Sequence, residues 1–200
     1  MRNLKKTLAL KEAEILKLKK EVSIDYLTGL SSRRFFLDKL NKKINEINFA
    51  KEHPERRKEA AKSLALLFID VDNFKKIYDT FGHKAGDLVL QEIAKTIKNS
   101  VRLEDLCTRW GGEEILVVLN NADQEIAFKK AEEIRQKIAS LSIKIGEAII
   151  NPTISIGIST LKKDKTSQEL IRKADLAMYE SKKQGKDQTT IFSEKLEKNN

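Results

Sequence analysis

Two pairs of acidic residues stand where a folded chain could use them for chemistry. Asp70 and Asp72 close an apolar run, and Glu113 and Glu114 follow a Gly-Gly pair at 111–112. A carboxylate at the end of an apolar strand projects from the sheet edge on a rigid support, and Asp72 points the same way if the strand continues. Oxygen ligands without nearby His or Cys suit Mg²⁺ or Mn²⁺ rather than zinc. The alternative is that acidic residues simply fall in turns.

Glycines stand next to these carboxylates and elsewhere in the same region. Gly111 and Gly112 permit positive φ and leave room for a bulky group against the backbone. Gly82 and Gly86 frame a short segment before Asp87. The chain contains neither GxxxxGK[ST] nor GxGxxG, which excludes Walker and Rossmann nucleotide sites.

The hydrophobic pattern predicts the elements that position these groups. A buried strand, SLALLFIDVD, precedes a helix, a GHKAGD turn and a second helix, and LCTRWGGEEILVVL forms a hairpin around its glycines. The order β α α β β α β β α β predicts an α+β domain with a central, mainly antiparallel sheet flanked by helices, which we expect to cover one face. The remaining elements are expected at 123–140 (helix), 142–150 and 153–160 (strands) and 167–183 (helix, ended by Gly185).

The N-terminal segment 1–24 shows heptad spacing, which predicts a linker helix that pairs as a coiled coil. Its seam residues are Leu4, Leu8, Ile15, Leu18 and Val22. Lys11 occupies the missing seam position, and three heptads are short, so an isolated dimer would be marginal. The alternative is a solvated helix that packs on its own domain.

The composition limits the classes of protein and partner. The chain has 200 residues and a formal net charge of +9, but residues 63–181 carry 17 basic and 18 acidic side chains, so the basic excess lies in the flanks and in 42–62. Bulk charge therefore does not argue for nucleic acid as partner, and no nucleic-acid-reading motif is present. No apolar run approaches the length of a membrane span, so we expect no membrane segment. The single cysteine, Cys107, excludes an intramolecular disulfide and indicates the cytoplasm.

Five sequence blocks then resemble those of one family in order and spacing. The blocks are DYLTGL, FIDVDNFKKIYDTFGHKAGD, RWGGEEI, TISIGIS and ADLAMYESKKQGKD. Together they resemble the GGDEF domain, the bacterial diguanylate cyclase, from residue 25 to about 192, with the signature variant GGEEI. The resemblance implies a domain at 25–200 with a fold like nucleotidyl cyclases and polymerase palms. It also implies condensation of two GTP into cyclic di-GMP and pyrophosphate across a homodimer.

The resemblance assigns roles to the acidic residues. Asp70, the Val71 carbonyl and Glu113 would hold the metal ions, Mg²⁺ or Mn²⁺. Glu114 would support that site or position the attacking hydroxyl, so that Glu113 and Glu114 are the catalytic candidates. Gly111 and Gly112 would lie against the substrate. The implied reaction is attack of one GTP's 3′-hydroxyl on the α-phosphate of the other.

The resemblance also places a guanine subsite. Asp87 matches the carboxylate that accepts from guanine N1–H and N2–H, and His83 matches a histidine of the same block. The usual asparagine companion is replaced by Tyr78, the main departure from the family pattern. A tyrosine offers one hydroxyl where an amide offers a donor and an acceptor. Either the pocket is rearranged and GTP binding weakened, or the domain is no longer an efficient cyclase.

Basic residues in the matching blocks would bind the phosphates. Lys75, Lys182 and Lys186 match basic positions of the family, and the backbone N–H groups of Asn73 and Phe74 would face the same phosphates at the start of a helix. Lys186 stands where an arginine is commoner, which loses bidentate contact and keeps the charge. In a chain this rich in lysine, coincidence is the alternative.

A further motif lies upstream of the glycines. Arg102 and Asp105 match the family's RxxD site, at which the product binds and inhibits, and Arg135 would supply a second arginine. Asp25 and Arg34 are expected to tie the linker to the domain. The competing hypothesis to an active cyclase is a degenerate domain that binds cyclic di-GMP or GTP without turnover. An upstream sensor domain is a further expected partner.

Overall fold

The computed structural model of the chain describes residues 11, 23–53, 63–161 and 166–198. The predicted heptad helix lies, apart from Lys11, outside these residues, and its pairing stays a prediction. Among the residues described, no helix is both long and apolar enough to cross a membrane.

Six helices and seven strands make up the part of the chain that the structure describes. The helices are α1 (Arg33–Glu52), α2 (Phe74–Phe81), α3 (His83–Ser100), α4 (Gln124–Ala139), α5 (Ser167–Lys183) and α6 (Glu194–Lys198). The strands are β1 (Leu64–Val71), β2 (Leu106–Gly111), β3 (Glu114–Asn120), β4 (Ile143–Ile145), β5 (Ala148–Ile150), β6 (Ile154–Thr160) and β7 (Thr189–Ile191). Side chains of Ser32, Asp123 and Thr166 accept hydrogen bonds from the first turns of α1, α4 and α5, as helix N-caps do.

The central sheet has the strand order β2-β3-β1-β6-β7. β1 pairs antiparallel with β3 and β6, β2 pairs antiparallel with β3, and only β7 runs parallel to its neighbour β6. The prediction of an α+β domain with a mainly antiparallel sheet is therefore confirmed. β4 and β5 form a separate two-stranded hairpin.

Helices pack on both faces of this sheet, so the expectation that they cover one face was wrong. β1 is buried along its whole length. Leu67 and Ile69 belong to a core cluster with α2, α3 and α4, whereas Leu66 and Phe68 belong to a second cluster with α1 and α5. The continuous apolar run of β1, with no polar alternation, is the pattern of a strand covered on both sides.

Two local expectations also need correction. The GHKAGD segment is not a turn, because α3 begins at His83 directly after Gly82, whose φ of 81° separates it from α2. The strand expected at 142–150 is split into β4 and β5 by Gly146 at φ 62°. In both places a glycine in the left-handed region redirects the chain where the apolar periodicity alone does not show a break.

The contact between β6 and α5 depends on a glycine. A Cβ on Gly157 would lie 2.0 Å from the Ala174 carbonyl oxygen and 2.1 Å from the Met178 nitrogen. Only a residue without a side chain lets the helix backbone approach this closely. The same helix ends with Lys182 and Lys183, so the close packing at Gly157 determines how near to the sheet these lysines lie.

Candidate active site at the edge of the central sheet

Asp70 lies near the end of the central strand, between two other strands. Its register partners are Glu114 on β3 and Ser155 on β6. The residue is 5% exposed, and its Oδ1 atom is buried with no hydrogen-bond donor at an acceptable angle among the described residues. The ammonium of Lys182, from the end of α5, lies 2.5 Å from Oδ1 as an ion-pair partner. A single lysine thus offsets a nearly buried carboxylate.

The pKa values of Asp70 and Glu114 are both raised. Burial raises the pKa of Asp70, and the charges of Glu113 and Asp72 add to it, against the opposing effect of Lys182. Burial also raises the pKa of Glu114, with Asp70, Asp175 and Glu113 as like charges. Negative charge is in excess in this cluster, because the Lys182 ammonium faces several carboxylates.

The hairpin between β2 and β3 brings Glu113 towards this cluster. Gly112 has a φ of 31°, and the pairing of β2 with β3 shifts register between Arg109 and Gly111. Arg109 Nε donates to the Gly112 carbonyl at 2.9 Å, and its guanidinium lies 3.5 Å from the Asp25 carboxylate. Arg109 is not among the residues predicted from the sequence, although its basic side chain two positions before the glycine pair was an available signal.

Asp25 accepts hydrogen bonds from the Thr28 backbone at 2.8 Å and hydroxyl at 2.7 Å. Burial raises the pKa of Asp25, but these bonds and the Arg109 charge outweigh it, so the pKa lies below its usual range. Asp25 thereby ties the segment before α1 to the glycine hairpin. Whether it also ties the linker to the domain stays a prediction. Arg34 is exposed on α1, and the neighbouring Arg33 stacks instead over the Trp110 ring at 3.8 Å.

Asp72 does not point with Asp70, because β1 ends at Val71. Its carboxylate is buried and accepts from Thr153 Oγ1 at 2.8 Å, from Ser155 Oγ at 2.7 Å and from the Asp187 backbone N–H at 3.0 Å. Through these three hydrogen bonds, Asp72 joins the end of β1 to β6 and to the segment before β7. The condition for a shared direction, that the strand continues through Asp72, is therefore not met.

Two lysines reach the start of α2 and the end of β1. Asn73, at φ 55°, caps α2 without a side-chain cap bond, and Lys186 Nζ donates to Asn73 Oδ1 at 2.6 Å. Phe74 is buried, so only its backbone N–H can serve a ligand at this helix start, whereas Lys75 is exposed one residue later. Lys182 and Lys186 thus both stand beside the end of β1, and each is held by an oxygen of the protein.

Tyr78, His83 and Asp87 come together between α2 and α3. The Tyr78 hydroxyl donates to Asp87 Oδ1 at 3.2 Å, and the ring lies 4.8 Å from the His83 ring. The ring also makes an edge contact with Phe74 at 4.6 Å. The structure therefore places Tyr78 directly on the carboxylate that it was expected to accompany.

Arg102 and Asp105 lie in the loop between α3 and β2. Asp105 Oδ2 accepts from the Arg102 backbone N–H at 3.0 Å, and Oδ1 accepts from the Asn120 N–H at 2.9 Å. The Arg102 guanidinium is exposed and 3.9 Å from Glu104. A cleft of about 390 Å³ opens beside this loop, between Ser31, Leu103 and neighbouring residues.

Arg135 is engaged away from Arg102. It donates to Glu132 through Nε at 3.0 Å and through a terminal nitrogen at 2.9 Å, and to Asp187 at 2.8 Å. Because its guanidinium is 18% exposed and faces two carboxylates, it braces the segment around Asp187. Nothing in the sequence near Arg135 indicates this contact, since Asp187 lies 52 residues away.

No group of three or more His, Cys, Asp or Glu side chains in the described ranges is arranged to hold a metal ion by itself. The buried Oδ1 of Asp70 nevertheless fits a cation, because it lies among like charges and already holds the Lys182 ammonium. Fold and site together define an α+β domain whose acidic centre stands at the end of the central strand, with basic residues beside it.

The chain belongs to the GGDEF family, since the family model described as "Diguanylate cyclase, GGDEF domain" matches residues 22–188. Diguanylate cyclase A of Treponema denticola is 37% identical over 192 residues, which are 96% of this chain and 49% of that protein. The response regulator PleD of Caulobacter vibrioides is 36% identical over 166 residues, 82% of this chain and 34% of that protein. The chain thus spans half or less of these relatives.

Solved structures share the fold. The GGDEF domain of TpbB (YfiN) from Pseudomonas aeruginosa matches with a TM-score of 0.77 at 32% identity, covering 88% of this chain and 97% of that one. The coiled coil and GGDEF domain of DgcB from Caulobacter crescentus, solved in complex with c-di-GMP, matches with a TM-score of 0.76 at 26% identity. That match covers 94% of this chain and 98% of that one.

Proposed function

We propose that this chain is an active diguanylate cyclase that condenses two GTP into cyclic di-GMP and pyrophosphate, each subunit of a homodimer bringing one GTP. The observation that carries the proposal is the buried Asp70 carboxylate, which stands beside the Glu113 hairpin and whose pKa is raised by burial and by its acidic neighbours although the Lys182 ammonium lies against it. Membership of the GGDEF family and the cyclases among the relatives support it.

Asp70, the Val71 carbonyl and Glu113 would hold Mg²⁺ or Mn²⁺. The bound ion lowers the pKa of an attacking hydroxyl and neutralises charge on the phosphates. Glu114, whose pKa is raised by burial and by its acidic neighbours, would orient the hydroxyl or brace the carboxylates. Gly112, in the left-handed region, would let the nucleotide lie against the hairpin backbone.

The phosphates would be bound by Lys75, Lys182 and Lys186 together with the backbone N–H groups of Asn73 and Phe74. The start of α2 offers unpaired N–H groups and the positive end of a helix dipole. Lys182 and Lys186 already lie beside this helix start, because Lys186 donates to Asn73 and Lys182 meets Asp70. Asp87 would read the guanine edge, with Tyr78 and His83 around it.

Arg102 and Asp105 would bind the product and inhibit the enzyme. The exposed guanidinium of Arg102 and the adjoining cleft support this role. Arg135 is held by Glu132 and Asp187, which disfavours the role first expected for it. We place the catalytic domain at 25–200 and the linker helix at 1–24, where it would connect a sensor domain. The single cysteine supports a reducing, cytoplasmic setting.

Incubation with GTP and Mg²⁺, followed by chromatography of the nucleotides, tests the proposal. A sample shown to be dimeric by light scattering should form cyclic di-GMP, and Glu113→Gln should abolish the product. Glu147→Gln, the same change at an exposed glutamate in the β4–β5 hairpin, is the matched control and should leave the rate unchanged. A dimeric sample without product would contradict the proposal.

A second candidate function is a binding module without turnover. The hydrogen bond from Tyr78 to Asp87 favours it, because the base-reading carboxylate already has a partner. In that case titration calorimetry should find cyclic di-GMP bound through Arg102, and Arg102→Ala should remove the binding, while GTP is not consumed.

A further inference from the structure

Tyr78 is held on three sides by residues of α2 and α3. Phe74 contacts its ring edge-on at 4.6 Å, and the His83 ring is tilted against it at 4.8 Å. A Cβ on Gly86 would stand 2.7 Å from the Tyr78 ring, so the ring rests directly on the glycine of α3. The direction of the hydroxyl is therefore fixed by packing.

That hydroxyl ends on Asp87. It donates to Oδ1 at 3.2 Å, and Asp87 itself is only partly buried, so the residue is still accessible to a ligand. Burial, together with the Asp87 charge, raises the pKa of Tyr78, which keeps the phenol protonated as a donor at neutral pH. The carboxylate is shared in the free protein.

We propose that Tyr78 is a specificity-determining residue that weakens recognition of the guanine 2-amino group by occupying one oxygen of Asp87. This inference rests on the proposed function, in which Asp87 reads the guanine edge. Guanine presents N1–H and N2–H side by side, and a carboxylate matches both only when it offers both oxygens. Hypoxanthine lacks the 2-amino group and needs one oxygen.

Sharing weakens the second bond rather than forbidding it, because a carboxylate oxygen can accept two hydrogen bonds. The phenol ring also fills space that a shorter side chain would leave to the base. The protein should therefore bind GTP and ITP with similar affinity, and removing the hydroxyl should restore the preference for GTP.

Titration calorimetry with the uncleavable α,β-methylene analogues of GTP and ITP in the presence of Mg²⁺ tests this inference. Tyr78→Phe keeps the ring and removes the donor, and it should raise the GTP-to-ITP affinity ratio about tenfold, which corresponds to about 1.4 kcal/mol. Tyr78→Asn should raise the ratio as well. Tyr179→Phe removes the hydroxyl of a half-exposed tyrosine on α5 and should leave the ratio unchanged.

The outcomes separate this inference from the proposed function. Binding of the GTP analogue with an unchanged ratio in Tyr78→Phe and Tyr78→Asn would overturn the role of Tyr78 alone. A fall in the ratio in Tyr78→Phe would also overturn it, since the hydroxyl itself would then read the amino group. No binding of the GTP analogue by any form would overturn the proposed function and this inference with it.

Discussion

Replacing Lys182 by methionine tests most directly whether the Lys182 ammonium offsets the charge of the buried Asp70 carboxylate. Lys182 Nζ lies 2.5 Å from Asp70 Oδ1, and the Asp70 side chain is 8% exposed against 30% for the lysine. Methionine keeps most of the side-chain length and removes the charge. The variant therefore leaves a nearly buried carboxylate with no positive partner among the residues that the structure describes.

The size of the effect follows from this geometry. At an effective dielectric constant of 20, two charges at this separation attract by about 7 kcal/mol before desolvation is counted. The pKa of Asp70 is nevertheless raised by burial, so desolvation outweighs the attraction of Lys182. Breaking a buried ion pair costs about 3–5 kcal/mol of unfolding free energy. Because Lys182 is partly exposed, we expect a loss of about 3 kcal/mol. For a domain of this length that corresponds to a fall of about 6–12 °C in Tm.

Asp70→Asn is the matched variant, and it should behave differently. It removes the desolvated charge itself, so its stability should stay within about 1 kcal/mol of the parent. The sign of the pH dependence follows. A carboxyl whose pKa rises on folding destabilises the folded state as pH rises, so the deficit of Lys182→Met should shrink on acidification, when Asp70 takes up a proton.

Thermal unfolding followed by circular dichroism, with EDTA or with excess MgCl₂, measures these differences. A cation that binds only the folded state raises stability by about 2.7 kcal/mol at a hundredfold excess over its Kd. Mg²⁺ should therefore raise the Tm of Lys182→Met and leave that of Asp70→Asn unchanged. A loss below about 1 kcal/mol in Lys182→Met, or equal stabilisation of Asp70→Asn by Mg²⁺, would refute the reasoning.

Three further predictions concern the fold, the Glu132 network and the linker. Gly157→Ala should lower the free energy of unfolding in urea by about 3 kcal/mol, because the new Cβ collides with the α5 backbone. The control Gly146→Ala should cost only the strain of a left-handed backbone, about 1–2 kcal/mol. Equal losses would argue against the collision. The hydrogen bond from Arg135 lowers the pKa of Glu132. Glu132→Gln should therefore lower the free energy of unfolding by about 2 kcal/mol at neutral pH and by progressively less as pH falls. A loss of stability that does not depend on pH would count against this. Deleting residues 1–22 should reduce dimerisation and cyclic di-GMP formation together, and unchanged activity at low protein concentration would contradict the coupling.

Residues close in the sequence to a strong pattern could be placed from the sequence. The apolar run before Asp70 and the glycines before Glu113 predict a strand end and a hairpin, and the structure contains both. Local periodicity determines such features, since a strand, a turn and a helix are each defined within about ten residues. The strand order and the use of both sheet faces depend instead on distant partners.

Asp72 shows why the side-chain contacts between distant residues could not be predicted from the sequence. Its donors Thr153 and Ser155 lie 81 and 83 residues away, and no local pattern distinguishes a carboxylate that such donors hold from one that projects freely. Arg135 and Asp187 present the same difficulty. The family resemblance assigns roles by position, and only the side-chain contacts separate a free guanidinium from an engaged one.

The two lysines at the strand end link the acidic centre to phosphate binding. Lys182 is held by Asp70 and Lys186 by Asn73, so each ammonium already uses one of its three N–H donors on an oxygen of the protein. Asp70 is buried and lacks another donor in the described part of the chain, so it can release Lys182 only when a different positive charge stands beside it. Lys186 leaves a neutral amide that is open to water, and needs no such replacement. On the proposed function, complete transfer of Lys182 from Asp70 to a phosphate would therefore depend on the divalent cation, whereas transfer of Lys186 from Asn73 would not.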